Sequence, residues 1–123
     1  MARVIERAGA DPEAALEFGP DELQEVQRLF GDVDNLLLAV RQRWMTTLSA
    51  KLDQATYDGK SVEWAHAELA AAQPGLRAVV DAAARRSVRM RALQRGEEQM
   101  VDYFSGPNHP RRRATPPRRN AVA

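Results

Sequence analysis

An apolar stripe with helical spacing runs through the middle of the chain. Between residues 33 and 55, large apolar side chains recur every three or four positions, with polar residues between them. This period places the apolar side chains on one face of an amphipathic helix that is roughly 35 Å long. Its members are Val33, Leu37, Val40, Trp44, Leu48, Leu52 and Ala55. Any fold of this chain must therefore pack its other elements around a long helix over 33–56.

Residues that start and end helices divide the N-terminal part of the chain. Asp11 stands before a proline and predicts a short helix that ends before Gly19. Pro20 stands before two acids and predicts a second helix, which Gly31 ends. Asp32 is the N-cap expected for the long helix, because its side chain can accept a hydrogen bond from the first turn.

The rest of the chain up to residue 104 also has helical spacing. After an Asp-Gly turn, the spacing predicts a helix over 62–73 that forms an antiparallel hairpin with the long helix. A further helix is predicted over 75–95, and Gly96 separates it from a final turn over 97–104. No segment alternates apolar and polar residues as a strand does. The sequence therefore predicts an all-α fold, a small up-down helical bundle around one long amphipathic helix.

The formal net charge of +1 is the sum of two oppositely charged parts. Residues 1–83 contain 8 basic and 14 acidic residues, a net of −6, and residues 84–123 contain 10 arginines and 3 acidic residues, a net of +7. Residues 105–123 are rich in proline and arginine, a composition typical of disorder. We therefore expect a bundle domain over 1–104 and a disordered basic tail over 105–123.

The composition excludes several classes of protein. The 123 residues include no cysteine, which excludes a thiol nucleophile, a disulfide framework and the usual structural zinc site. No apolar run approaches the roughly 20 residues that cross a bilayer, and the first residues include acids where a signal peptide is apolar. We therefore expect a cytoplasmic protein that does not bind a membrane.

Glu63 and His66 form a pattern that is typical of some metal sites. Residues three apart on a helix face the same way, as ligands do in carboxylate-bridged di-iron bundles. Such a site needs a second pair and further carboxylates, which Asp32 or Asp34 would have to supply when two chains meet. A dimeric ferritin-like metal-binding bundle is therefore a distant alternative, and we expect neither a metal nor another cofactor.

The sequence contains no motif that is typical of catalysis. It has no nucleophile elbow, no glycine pattern for dinucleotides and no P-loop. Arg41, Arg43 and Lys51 of the long helix suit an anionic substrate, but no matching Arg-Glu pair follows on a second helix. A helix-turn-helix register would place Pro74 and Asp81 at positions that require buried apolar residues. We therefore expect a protein that is not an enzyme.

Arginines dominate the C-terminal third and form the main candidate site. Such a row attracts an acidic protein surface or the phosphates of a nucleic acid, unless it is a solvated face that pairs with acids of the same chain, such as Glu97 and Glu98. The candidate binding residues are Arg85, Arg86, Arg89, Arg91, Arg95, Arg111, Arg112, Arg113, Arg118 and Arg119.

This row leads to the main functional hypothesis. We expect a non-catalytic interaction or regulatory protein that binds a macromolecular partner, preferably a protein, through a helical face and the arginine-rich C-terminal third. The alternative is a sequence-nonspecific DNA- or RNA-binding protein that uses the arginines of helix 75–95 together with the tail.

The two tryptophans are expected to have different roles. Trp44 lies in the centre of the apolar stripe and is expected in the core. Trp64 falls beside the apolar side of its helix, so we expect it to be partly exposed and to form a protein interface with Tyr57. Because a short, alanine-rich bundle often completes its core by dimerising, we also expect a homodimer.

Overall fold

Helices account for nearly all of the chain that the structure describes. A computed structural model of the chain describes residues 1–106, which form six α-helices and one 3-10 turn, with no strand among them. The elements are α1 Ala2–Ala10, the 3-10 turn Pro12–Ala14, α2 Pro20–Phe30, α3 Val33–Tyr57, α4 Val62–Ala72, α5 Pro74–Arg86 and α6 Val88–Ser105. The predicted all-α class is confirmed. The predicted tail from residue 107 onward lies outside the described residues.

Helix α3 is the centre of the bundle and contacts α2, α4, α5 and α6. Its predicted apolar stripe is buried along most of its length, and Trp44 and Leu52 are inaccessible to solvent. The predicted cap also forms, because the Asp32 carboxylate accepts a hydrogen bond from the Asn35 N–H at 2.8 Å. Although α3 is long, no helix within residues 1–106 combines the length and the apolar character that crossing a membrane requires.

The predicted hairpin partner of the long helix is confirmed. Helix α4 packs against α3 and ends one residue before the predicted end at residue 73. Between the two helices, Gly59 has a φ of +75°, a conformation that residues with a Cβ rarely adopt. The helix predicted between Pro20 and Gly31 is confirmed as well, with Gly31 as its C-cap.

The C-terminal helices differ from the prediction of one helix over 75–95. That prediction is wrong, because the chain breaks at Ser87 into α5 and α6. Ser87 is extended, with φ −125° and ψ 123°, and its hydroxyl oxygen accepts a hydrogen bond from the Met90 N–H at 3.2 Å. A serine that caps a new helix stabilises such a break. The candidate arginines of the predicted helix 75–95 therefore belong to two helices, with Arg85 and Arg86 on α5 and Arg89, Arg91 and Arg95 on α6.

The predicted break at Gly96 is also wrong, because α6 continues through Gly96 to Ser105. A Cβ at Gly96 would lie 2.7 Å from Nη2 of Arg41, which donates a hydrogen bond to the Leu93 carbonyl oxygen at 2.7 Å. The missing side chain thus makes room for a guanidinium group from α3. Ser105 is helical and buried, so the bundle extends one residue beyond its predicted end.

The N-terminal region also differs from the prediction. Helix α1 is not among the predicted elements, because no side chain caps its start. It buries Val4 and Ala8. The short helix predicted after Asp11 is reduced to the 3-10 turn, although Asp11 does cap it by accepting a hydrogen bond from the Glu13 N–H at 3.2 Å.

Helix α1 crosses α5 at a point where the two backbones touch. Gly75 of α5 is buried, and a Cβ at this position would lie 2.0 Å from the Ile5 carbonyl oxygen. A Cβ at Gly9 of α1 would lie 3.5 Å from the Gly75 backbone, which is an ordinary contact distance. The crossing therefore requires a glycine on α5 but tolerates a methyl group on α1.

We expect Gly75→Ala to lower the free energy of unfolding by about 2 kcal/mol, because the added methyl group must push α1 away from α5. Gly9→Ala is the matched control, since it adds the same methyl group without a clash. We expect it to change stability by less than about 1 kcal/mol. Urea unfolding followed by circular dichroism measures both effects. Equal effects would contradict the close approach of the two backbones.

Candidate functional site

A carboxylate is buried where α4, α5 and α6 meet. Glu97 of α6 is 9% exposed. Its two oxygens accept hydrogen bonds from Nη1 of Arg77 on α5, at 3.0 and 2.9 Å. One of these oxygens also accepts a hydrogen bond from Nε2 of His66 on α4, at 2.7 Å. The carboxylate thus joins three helices through charge-assisted hydrogen bonds.

The ring of Trp44 adds α3 to this group of side chains. The guanidinium carbon of Arg77 lies 4.8 Å from the centre of the Trp44 ring. The His66 ring meets Trp44 edge-on, with the ring centres 5.7 Å apart. Arg77 also binds Asp81, one turn further along α5, at 2.9 Å. We call Trp44, His66, Arg77 and Glu97 the four-helix cluster, because each of its members comes from a different helix.

Burial and pairing have opposite effects on the charge of Glu97. Burial by itself would raise the pKa of this carboxyl group. The hydrogen bond from His66, together with the charge and the hydrogen bonds of Arg77, outweighs burial and holds the pKa of Glu97 below its ordinary value. Glu97 is therefore ionised at neutral pH.

An open cleft of about 580 Å³ lies between α4 and α6, with Glu97 and His66 in its wall. Its lining consists of Val62, Glu63, His66, Ala67, Glu97, Glu98, Val101 and Asp102. These residues include four carboxylates but no serine, threonine or lysine that could act as a nucleophile.

Glu63 and His66 share the cleft, as their spacing predicts, but Nε2 of His66 is bound to Glu97. In the described part of the chain, no group of three or more His, Asp or Glu side chains is placed to hold a metal ion.

Two of the five candidate arginines on α5 and α6 donate hydrogen bonds to carbonyl groups of the fold. Arg86 of α5 donates a hydrogen bond to the Leu16 carbonyl oxygen at 3.2 Å. Arg91 of α6 donates from Nε to the Ala84 carbonyl oxygen at 3.2 Å and from Nη2 to the Arg85 carbonyl oxygen at 3.4 Å. These carbonyl groups lie in the last turn of α5, where a helix leaves them without intrahelical partners. Arg91 therefore caps the C-terminus of α5.

The other three candidate arginines of α5 and α6 face solvent, with Arg85 and Arg89 beside the junction of the two helices and Arg95 further along α6. The side chains of Arg85, Arg89 and Arg95 are exposed and make no hydrogen bond or ion pair with other residues of the range 1–106. Val88, which is 75% exposed, lies at the same junction. We call Arg85, Val88, Arg89 and Arg95 the junction surface. The tail candidates Arg111, Arg112, Arg113, Arg118 and Arg119 lie outside the described residues.

The two tryptophans lie where the sequence predicts them. Trp44 is buried in the core, and Trp64 is 39% exposed. Both lysines of the chain approach the exposed ring, with the Nζ atoms of Lys51 and Lys60 at 5.0 and 5.3 Å from its centre. Tyr57 is 88% exposed. The role of Trp64 and Tyr57 in a protein interface stays a prediction.

Glu97 and Arg77 are not among the site residues predicted from the sequence. A signal for Glu97 exists, because it stands seven residues after Met90 and seven before Phe104, on the apolar face of α6. A carboxylate at such a position needs a buried cationic partner. Nothing in the sequence alone identifies Arg77 as that partner, because the two residues meet only through the packing of α5 on α6.

Comparison of the chain with known proteins finds no matching family model, no matching curated protein and no matching solved structure.

We expect Glu97→Gln to lower the free energy of unfolding at neutral pH by about 2 kcal/mol, because Arg77 is left partly buried with a weaker acceptor. The neighbouring substitution Glu98→Gln is the matched control, since Glu98 is exposed. We expect the control to change stability by less than about 0.5 kcal/mol. Urea unfolding of the wild type and both variants measures these differences.

The same variants test the pH dependence of the four-helix cluster. A carboxyl group with a lower pKa in the folded chain stabilises the fold above its ordinary value of 4.5. That contribution is lost as the pH falls through the folded pKa. The stability difference between the wild type and Glu97→Gln should therefore shrink below pH 4.5. A difference that stays constant into acid would contradict a charged Glu97 in the core.

Proposed function

We propose that this chain is a non-catalytic interaction protein that binds an acidic surface of a partner protein through the junction surface and the arginines that follow α6. The observation that carries the proposal is the exposure of Arg85, Arg89 and Arg95 without partners among residues 1–106. Val88, an apolar side chain that is 75% exposed, lies between Arg85 and Arg89 in the sequence. Arginine beside apolar surface is typical of protein interfaces.

Helix stability does not account for all of these charges. Arg85 lies in the last turn of α5, where a positive charge interacts favourably with the helix dipole. Arg89 lies in the first turn of α6, where a positive charge is unfavourable by about 0.3–1 kcal/mol. That first turn contains no acidic residue to offset it. Contact with another molecule explains Arg89 better than the stability of α6 does.

A protein partner suits the surface better than a nucleic acid. Arg86 and Arg91 are already bonded to carbonyl groups of the chain, so the row offers fewer free guanidinium groups than the sequence suggests. Further along α6, the exposed residues Glu98 and Asp102 would repel phosphates. A sequence-nonspecific DNA- or RNA-binding protein therefore remains the second candidate.

The triple variant Arg85→Gln/Arg89→Gln/Arg95→Gln tests this proposal in the full chain. We expect the wild type to bind a labelled poly-glutamate peptide with an affinity that falls as salt concentration rises. The variant should bind about tenfold more weakly, because each exposed ion pair contributes up to about 1 kcal/mol. Fluorescence anisotropy across a salt series measures both affinities.

The matched control is Arg3→Gln/Arg28→Gln/Arg43→Gln, which removes the same charge from exposed positions on α1, α2 and α3. We expect it to change the affinity by about twofold at most. If both triple variants lost the same affinity for the peptide, the net charge of the chain would explain the binding. That result would contradict the proposal. Tighter binding to a duplex DNA, lost in the junction variant, would favour the nucleic-acid candidate.

A further inference from the structure

The outer face of α6 carries a stripe of exposed side chains opposite its buried face. The stripe consists of Val88, Ala92, Arg95, Gln99 and Tyr103. The spacing of three or four residues places all five on one side of the helix. The two large apolar members, Val88 and Tyr103, are 75% and 80% exposed and stand at opposite ends of the stripe. Water contacts both side chains unless another surface covers them.

The exposed charged residues on this stripe and on one side of it change sign from one half of the helix to the other. Arg91 and Arg95 lie in the first half, and Glu98 and Asp102 lie in the second half. Within each half the like charges are four residues apart, which is destabilising for a single helix. The order also opposes the helix dipole, which favours acids near the N-terminus and bases near the C-terminus. Arg95 and Glu98, whose side chains make no hydrogen bond or ion pair with other residues of the described range, are therefore available to complement another surface.

We propose that this face of α6 pairs with the same face of a second copy of the chain, with the two helices antiparallel. Val88 then lies against Tyr103 of the second copy, and Ala92 lies against Gln99. Arg95 of each copy lies beside Glu98 of the other, so that the arrangement forms two equivalent ion pairs. The inference rests on the proposed function and divides its surface: the second copy covers Val88 and Arg95, and Arg85 and Arg89 are left for the acidic partner.

The antiparallel direction follows from the order of the charges. Parallel helices would place the arginines of one copy against those of the other, and the acids against the acids. Antiparallel helices place each basic half beside an acidic half, and a twofold axis makes the contact closed and self-complementary. Arg91 contributes from a fixed position, because its Nε and Nη2 are held by the last turn of α5.

The pairing also determines where the remaining arginines lie. In an antiparallel pair, the start of α6 in one copy lies beside the end of α6 in the other. Arg85 and Arg89 of one copy therefore approach Gly106 of the second copy. The acidic partner of the proposed function would then meet Arg85 and Arg89 at each end of the pair.

Two single substitutions of the full chain test the pairing, with self-association measured by sedimentation equilibrium at low salt. One helix face buries less than the roughly 800 Å² per partner of a standard interface, so the wild-type dimer should dissociate on dilution. We expect Arg95→Glu and Glu98→Arg each to weaken self-association by about tenfold. Each substitution turns both of the ion pairs between the two copies into pairs of like charge. An equimolar mixture of the two variants should restore the wild-type affinity, since it restores two pairs of opposite charge.

Arg3→Glu is the matched control, because it changes the charge equally on α1, which does not contact α6. We expect it to leave self-association within about twofold of the wild type. A monomeric wild type, variants that associate like the wild type, or a mixture no tighter than its components would overturn the pairing. Recovery in the mixture also shows that both variants are folded. The measurement contains no poly-glutamate peptide, so its failure is distinct from a failure of the proposed function.

Discussion

The buried carboxylate of Glu97 is the interaction on which the arrangement of the last three helices depends. A charge removed from water is tolerated only where cations and hydrogen-bond donors replace the solvent. Here the donors are Arg77 of α5 and His66 of α4, and both also contact the ring of Trp44 in the core. Because each member of the cluster comes from a different helix, satisfying one carboxylate fixes the positions of four helices relative to one another.

This arrangement decides which charged residues of α6 are available for binding. With Glu97 directed into the bundle, Arg95 lies on the opposite face of the helix and Glu98 is exposed beside that face. The break at Ser87 directs Arg91 back to the end of α5, while Arg89 stays in solvent. The surface that we propose for binding is thus a consequence of the buried network. Its mixture of both charge signs with exposed apolar side chains favours a protein partner, including a second copy of the chain.

Features that depend on neighbouring residues in sequence could be predicted, and features that depend on packing could not. The stripe of α3 and the cap at Asp32 are local, so the sequence identifies both. The continuity of α6 through Gly96 depends on Arg41, which is distant in sequence, and the glycine therefore resembles a helix end. The sequence was sufficient to identify the row of arginines in the C-terminal third. Its division into bonded and solvent-facing members required the structure, because their bonds reach carbonyl groups of other elements.

The most direct test is a nuclear magnetic resonance titration of the side-chain carboxyl carbon of Glu97 in the folded wild-type chain. If His66 and Arg77 hold the carboxylate as a charged group, its pKa lies below the ordinary value of 4.5. A pKa at or above 4.5 would mean that burial outweighs pairing. That result would contradict a charged cluster that holds α6 in its orientation.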